Sequence, residues 1–256
     1  MAFLYQITMG LDGEPVLKLA DSQNNCSTFD GTELIDCPSI GEDIVTCQQQ
    51  YNKTILLSVG GATYTEAGFA SEDEALAWAD ELWAMFGPQQ VDSSALRPFG
   101  SAVIDGFDFD FETSTTNTVP FGIQLRYLMD ADTSKRYYLT AAPQCLYPDL
   151  ADNDMLNGTV IFDAIFVQFY NNYCGLGSYF PGEAIQTNFN FATWDQWAKT
   201  VSANPDVRVL LGVPADTTAA GSGYTPVQTL QSILEYCKTF SSFGGVMVWD
   251  ATQVRN

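Results

Sequence analysis

The chain contains no histidine among its 256 residues, and this absence excludes several classes of enzyme. A Ser-His-Asp triad, a Cys-His pair and most zinc centres all require an imidazole. Any acid–base chemistry must therefore use carboxylates, tyrosine or lysine. We expect neither a metal ion nor another cofactor.

Basic residues are also scarce, since 10 Lys and Arg stand against 31 Asp and Glu, for a net charge of −21. A surface this negative repels nucleic acid and anionic lipid, and it suits a neutral substrate or an acidic medium. No apolar run approaches the roughly 18 residues that a membrane-spanning helix needs. We therefore expect no nucleic acid and no membrane as partner, and we expect a monomer.

Markers of export are mixed. Met1–Tyr5 lacks a basic segment and a cleavage site, so no signal peptide is visible. Six cysteines are more than a cytosolic domain usually carries, and none form the close pairs of a zinc ribbon. Glycosylation sequons begin at Asn25, Asn52 and Asn157. These features favour a secreted, extracellular glycoprotein.

Short apolar runs alternate with helical patterns, which is typical of repeated strand–helix units and of an α/β fold. The near-continuous hydrophobicity of most runs indicates a parallel sheet that is covered on both faces. No linker interrupts the pattern, so residues 1–256 are expected to form a single domain. A closed barrel of this type needs eight strands, and we count seven: Ala2–Ile7, Thr54–Val59, Ala102–Phe111, Tyr137–Ala142, Ala164–Tyr170, Val207–Val213 and Gly245–Trp249.

The ends of two helices can be predicted from capping residues. Ser71 and Glu74 form a capping box before an apolar stripe that runs from Ala75 to Phe86, and Gly87 follows it. Thr225 and Pro226 open another helix, whose predicted stripe consists of Val227, Leu230, Leu234 and Cys237.

The stretch from Asp105 to Glu112 reads Asp-Gly-Phe-Asp-Phe-Asp-Phe-Glu. Side chains alternate along a strand, so Asp108, Asp110 and Glu112 share one face, and the three phenylalanines share the other. Three carboxylates on one buried face repel one another, which predicts a raised pKa for Glu112 and a role in donating a proton. A surface acidic cluster is an alternative, but it would bury the phenylalanines without reason. A calcium loop is another, but the polar spacers and the turn glycine are lacking.

This D-x-x-D-x-D-x-E stretch resembles the signature of the family 18 chitinases, and Ser58-Val59-Gly60-Gly61 resembles the S-x-G-G motif that precedes it. Further matches follow in chain order at residues 141–145, 168–172 and 244–249. Together they are similar to the class III chitinases of plants and fungi typified by hevamine. The resemblance covers essentially the whole chain and implies a (β/α)8 TIM barrel that hydrolyses the β-1,4 linkages of chitin.

The family's mechanism is retaining and assisted by the substrate, whose own 2-acetamido oxygen attacks the anomeric carbon. The resemblance implies that Glu112 protonates the glycosidic oxygen and that Asp110 orients the acetamido group. Asp108 would share a proton with Asp110, and Tyr170 would hydrogen-bond the acetamido carbonyl. Asp105 has the other parity and is expected to be structural.

The resemblance also implies substrate contacts. Trp249 would stack under the sugar ring as the floor of the site, although ordinary packing in the barrel remains an alternative. Tyr170 could likewise be a core tyrosine. The remaining implied contacts are Gln168, Gly60, Phe3, Met247 and Asn171.

In the family an additional strand and helix precede the segment that matches Ala2–Ile7, and an eighth helix follows Trp249. We therefore expect a seven-stranded, incomplete barrel, with unpaired edges at Ala2–Ile7 and Gly245–Trp249. The resemblance pairs Cys26 with Cys37 and Cys145 with Cys174, which leaves Cys47 without its family partner. Cys237 is expected to be a buried free thiol.

Two rival functions stay open. An endo-β-N-acetylglucosaminidase that acts on glycans shares the fold and the acid. A non-catalytic protein that binds chitin or another sugar, or that acts as an inhibitor, is the other alternative, although such relatives usually lose the acid that Glu112 provides.

Overall fold

The structure is a computed structural model that describes residues 2–9, 15–18, 26–62, 64 and 67–254, with the backbone alone for residues 2–9 and Lys18. The chain divides into two compact units, residues 1–139 and 140–256. None of the helices in the described ranges is long and apolar enough to cross a membrane.

The first unit contains a four-stranded sheet in the order β2-β1-β5-β6. Strands β1, β5 and β6 run parallel, and β2 pairs with β1 in the antiparallel sense. The elements of this unit are β1 (Ala2–Met9), β2 (Pro15–Lys18), β3 (Ser27–Thr28), β4 (Ile35–Asp36), α1 (Pro38–Gln49), β5 (Ile55–Gly60), α2 (Glu72–Phe86), β6 (Gly106–Asp110) and α3 (Thr118–Ala131).

The second unit contains parallel strands in the order β7-β8-β9-β10. A 3-10 turn at Leu176–Ser178 follows β8. The elements are β7 (Tyr138–Ala141), which begins at the end of the first unit, then α4 (Asn153–Leu156), β8 (Ala164–Gln168), α5 (Phe191–Thr200), β9 (Arg208–Pro214), α6 (Val227–Cys237) and β10 (Phe243–Trp249).

All seven predicted strands are present, and their alternation with helices confirms the α/β class. The strand predicted at Ala102–Phe111 is shorter, since β6 covers only Gly106–Asp110. The reason lies in the preceding backbone. The amide of Ile104 donates to the carbonyl of Phe86 at the end of α2, 3.2 Å away, so this residue belongs to a loop.

The expected unpaired edge at Ala2–Ile7 is wrong for the second half of that strand. Residues Gln6 to Met9 pair with β2, a strand that the apolar runs of the sequence did not predict. The intervening sequence, Gly-Leu-Asp-Gly-Glu, has a composition that turns favour. That composition was the signal for a hairpin.

The two predicted helices form, with one correction each. In α2 the Ser71 hydroxyl accepts from the Glu74 amide at 3.1 Å, but the Glu74 carboxylate accepts from Ala70 rather than from Ser71. In α6 the predicted stripe is partly wrong, because Val227 lies in the first turn and is 74% exposed. Ile233, which the stripe omitted, is buried there together with Cys237.

Candidate active site

Strand β6 is held by the aromatic side chains on one of its faces. Phe107, Phe109 and Phe111 are all buried. The ring of Phe109 packs 5.3 Å from that of Phe121 on α3, and Phe111 packs 5.4 Å from Tyr64. This packing fixes the rotation of the strand about its axis. It also removes the interpretation as a surface acidic cluster.

The opposite face of β6 carries the carboxylates. Asp108 and Asp110 are 3% and 7% exposed, and Glu112, beyond the strand's last residue, is partly exposed. Ser58 lies directly across from Asp108 in the ladder, and its hydroxyl donates to Asp108 Oδ2 at 3.0 Å. A buried carboxylate is costly unless it is hydrogen-bonded, so this contact explains the serine of the S-x-G-G motif.

Gly60 of that motif has a steric explanation, and Gly61 contributes a hydrogen bond. Gly60 has φ +105°, and a Cβ there would stand 2.7 Å from the carbonyl oxygen of Asp110. The amide of Gly61 donates to the same oxygen at 2.6 Å. Only glycine allows this approach of β5 to the end of β6. The motif therefore anchors the backbone of Asp110.

Asp105, at the other end of β6, has a structural role, as predicted. Its carboxylate accepts from Lys135 Nζ at 2.7 Å, from Gln48 Nε2 at 2.8 Å and from the amide of Ile55 at 2.8 Å. These contacts tie α1 and the start of β5 to the start of β6. Neither Gln48 nor Lys135 could be predicted from the sequence as a partner of Asp105.

The second unit carries other predicted residues at the end of β8. Gln168 and Tyr170 are both buried, and Gln168 Nε2 donates to the carbonyl of Ala142 at 3.0 Å. The backbone of Gln168 also exchanges hydrogen bonds with residues 143 and 145. The segment is fastened by the disulfide between Cys145 and Cys174.

Asp149 organises the loop after β7 and was not predicted. Its carboxylate accepts from three backbone amides, those of Gln144, Ala151 and Asp152, at 2.7–3.0 Å. Burial raises the pKa of Asp149, and the three hydrogen bonds offset that rise only in part. This side chain therefore supports the loop from within.

Strand β10 positions Met247 and Trp249. Met247 is buried, and its methyl carbon lies 2.9 Å from the point where a Cβ on Gly212 would stand. Trp249 is 43% exposed, and its carbonyl accepts from the amide of Ala215 at 2.7 Å. Asn171 is exposed at the end of β8. The side chain of Phe3 lies outside the described residues.

The cysteines form the two disulfides that the resemblance implies, Cys26–Cys37 and Cys145–Cys174. Cys47 and Cys237 are free thiols. Cys237 is fully buried, which raises the pKa of its thiol far above the ordinary value. Within the described ranges, no three Asp, Glu or Cys side chains are grouped so as to hold a metal ion.

Comparison of the sequence and the structure with known proteins shows the family of this chain. The model of the glycosyl hydrolases family 18 matches residues 17–223. The chain belongs to this family. A relative called a class III chitinase from Arthroderma benhamiae is 56% identical over 254 residues, which cover 99% of this chain and 76% of the relative.

The chain is also similar to solved structures. A chitinase from Ipomoea carnea is similar with a TM-score of 0.77 and 29% identity, over 97% of this chain and 84% of that one. A xylanase and α-amylase inhibitor protein from Scadoxus multiflorus is similar with the same TM-score of 0.77 and 32% identity, over 98% and 83%. The fold class of this family 18 chain is thus α/β of the (β/α)-barrel type.

Proposed function

We propose that this family 18 chain hydrolyses the β-1,4 linkages between N-acetylglucosamine units of chitin by a retaining, substrate-assisted mechanism. The observation that carries the proposal is the carboxylate face of β6. Two buried aspartates are followed by Glu112, the more exposed member, at the carboxyl end of the strand. Catalytic residues of (β/α) barrels lie at this end of their strands.

In the first half-reaction Glu112 gives its proton to the glycosidic oxygen as that bond breaks. The acetamido oxygen of the same sugar bonds to the anomeric carbon from the opposite side. Glu112, now a carboxylate, then takes a proton from water, whose oxygen attacks the anomeric carbon and displaces the acetamido oxygen. Two inversions give net retention, and no protein nucleophile is needed.

The aspartates would hold the acetamido group. Asp110 orients it and stabilises the positive charge that develops on it. Asp108, hydrogen-bonded by Ser58 at 3.0 Å, shares a proton with Asp110. Gly60, beside the backbone of Asp110, is a further proposed contact in this unit.

The remaining proposed roles fall on the second unit. Tyr170 donates a hydrogen bond to the acetamido carbonyl, which fixes the geometry of attack. Trp249 presents an exposed ring on which the apolar face of a sugar stacks. Gln168 and Met247 are proposed as further contacts.

Conditions outside the cell suit this protein. Two disulfides persist in oxidising surroundings and are rare in the cytosol. We therefore place the protein outside the cell. We further propose that it acts there as a monomer on N-acetylglucosamine oligosaccharides.

Release of products from N-acetylglucosamine oligomers tests the proposal, with Glu112→Gln as the variant. The substitution preserves shape and removes the proton, so we expect turnover to fall about 10²–10⁴-fold while oligomer binding is retained. Glu42→Gln, an exposed position on α1, is the matched control and should keep full activity. More than about a tenth of the activity in the Glu112 variant would contradict the assignment.

A non-catalytic role is the second candidate. It is favoured by the likeness to the inhibitor protein from Scadoxus multiflorus. The same assay decides between the two, because a non-catalytic protein would bind oligomers without releasing products. Since Glu112, Asp110 and Tyr170 are all present, we favour turnover.

A further inference from the structure

A loop after β9, residues 221–223, is fastened to the residue that follows Tyr170. The amide of Asn171 donates to the carbonyl of Ser222 at 3.2 Å. In return, the amide of Ser222 donates to Asn171 Oδ1 at 3.1 Å. Asn171 thus holds the loop through both its backbone and its side chain.

The backbone of Asn171 has an uncommon conformation that suits this contact. Its φ of +59° lies in the left-handed region, which asparagine and glycine occupy more readily than other residues. The chain turns sharply there, directly after Tyr170. This turn aims both bonding groups of Asn171 at Ser222.

The same loop lies against Tyr170 itself. Gly223 has φ +100°, and a Cβ at this position would stand 2.9 Å from both Cα and Cβ of Tyr170. Only a glycine allows the loop to approach this closely. The loop therefore limits movement of the Tyr170 backbone on one side.

Neighbouring side chains restrain Tyr170 further. Asn172 Nδ2 lies 3.5 Å from the Tyr170 carbonyl oxygen and donates to Gln144 Oε1 at 2.9 Å. Tyr170 is also buried. A buried residue whose backbone is held in this way is suited to a task that depends on exact placement.

We propose that Asn171 is a positioning residue, which acts on the reaction through the 221–223 loop and Tyr170 rather than by contact with the sugar. The proposal rests on the proposed function of Tyr170 as donor to the acetamido carbonyl. It differs from the direct contact that the resemblance implies, because the side-chain oxygen of Asn171 is engaged by Ser222. Loss of the hydrogen bonds between Asn171 and Ser222 shifts Tyr170 and slows the chemical step.

Three variants separate the possible roles. Asn171→Gly keeps the left-handed turn but loses the acceptor, and we expect kcat to fall about tenfold while KM changes less than about twofold. Asn171→Asp keeps both the acceptor and the turn, and it should retain most of the activity. Asn204→Ala is the control. The side chain of Asn204 also accepts a hydrogen bond from a backbone amide, that of Asp206 at 3.0 Å. This contact lies in the loop that precedes β9, at the opposite end of that strand from the 221–223 loop, so kcat should not change.

A double-mutant cycle with Tyr170→Phe tests whether Asn171 acts through the tyrosine. If it does, Asn171→Gly has a much smaller effect on kcat once the Tyr170 hydroxyl is gone. Equal effects in both backgrounds would overturn the proposal. So would a rise in KM at constant kcat, which indicates direct sugar contact, or a loss of activity that only tracks a lower melting temperature.

The Glu112→Gln assay separates this inference from the function on which it rests. Activity that survives Glu112→Gln removes the proposed function and the inference together. If Glu112→Gln is inactive while Asn171→Gly has the kcat of the unmodified protein, the proposed function stands and this inference alone fails.

Discussion

Strands β6 and β10 both end at residues with a proposed role, yet their surroundings differ. Every residue of β6 is buried, with aromatic side chains behind it. In β10 only Met247 is buried, and Val246, Val248 and Trp249 are exposed. Carboxylates close together need fixed partners and exclusion from water to have defined protonation states. A tryptophan that stacks on a sugar needs an exposed face instead.

Two glycines allow the sharpest comparison of these strands. Gly106 in β6 and Gly245 in β10 have similar φ values, +148° and +140°. A Cβ on Gly106 would lie 1.8 Å from the carbonyl oxygen of Tyr138, whereas on Gly245 its nearest contact would be Leu210 at 3.8 Å. An added Cβ would therefore be crowded at Gly106 and not at Gly245, whereas backbone strain would arise at both positions.

Gly106→Ala should have the largest effect on stability of the changes considered. We expect Gly245→Ala to lower the free energy of unfolding by about 1–3 kcal/mol because of backbone strain. Gly106→Ala should lower it by the same amount plus an overpacking penalty of at least about 1–3 kcal/mol. Urea unfolding of both variants measures the difference. Equal losses would show that β6 is no more tightly enclosed than β10.

Truncation of one apolar side chain in each strand gives the next largest effect. Phe109→Ala removes a ring that is 0% exposed and packed on α3, and it should cost about 3–5 kcal/mol. Val248→Ala removes a side chain that is 45% exposed, and it should change stability by less than about 0.5 kcal/mol. A large loss for Val248→Ala in the same unfolding assay would mean that this face of β10 is covered in solution.

The start of β10 depends on a carboxylate. Asp195 on α5 is buried and accepts from the amide and the hydroxyl of Ser242, at 3.1 and 2.7 Å, and from Lys199 at 2.5 Å. Burial alone would raise the pKa of Asp195, but the hydrogen bonds from Lys199 and Ser242 outweigh it, and the pKa is lowered.

Because the folded state favours the charged form, the stability contributed by Asp195 is present above the unfolded pKa of about 3.9. It is lost as the pH falls through the lower folded value. Asp195→Asn should therefore lower the free energy of unfolding by about 1–2 kcal/mol at pH 7. The difference between the variant and the unmodified protein should become smaller below about pH 4. Urea unfolding at both pH values tests this, with exposed Asp206→Asn as control. A difference that is constant with pH would contradict the assignment.

The features that could be predicted from the sequence are those that depend on periodicity and on short-range motifs. Seven strands follow from apolar runs, and burial of Phe107, Phe109 and Phe111 follows from alternation along one strand. The capping role of Ser71 follows from local residue spacing. These features are local, so neighbouring residues in the chain are enough to define them.

Contacts between distant parts of the chain were not predictable in this way. The hydrogen bond from Ser58 to Asp108 spans 50 residues, and the bond between Ser222 and Asn171 spans 51. Nothing in the composition of either segment indicates its partner. The hairpin strand β2 was missed because its four residues are too few to show alternation. Val227 was misplaced because the stripe of α6 was started one turn too early.

The anomeric form of the first products reports whether the substrate's own acetamido group attacks the anomeric carbon. Proton NMR, recorded while the unmodified protein digests N-acetylglucosamine hexamer, distinguishes the two anomers before they interconvert. Attack by the substrate's own acetamido group, with proton transfer by Glu112, predicts new reducing ends in the β form, which later relax to the equilibrium mixture. Products that appear first in the α form, or no products at all, would rule out this substrate-assisted mechanism.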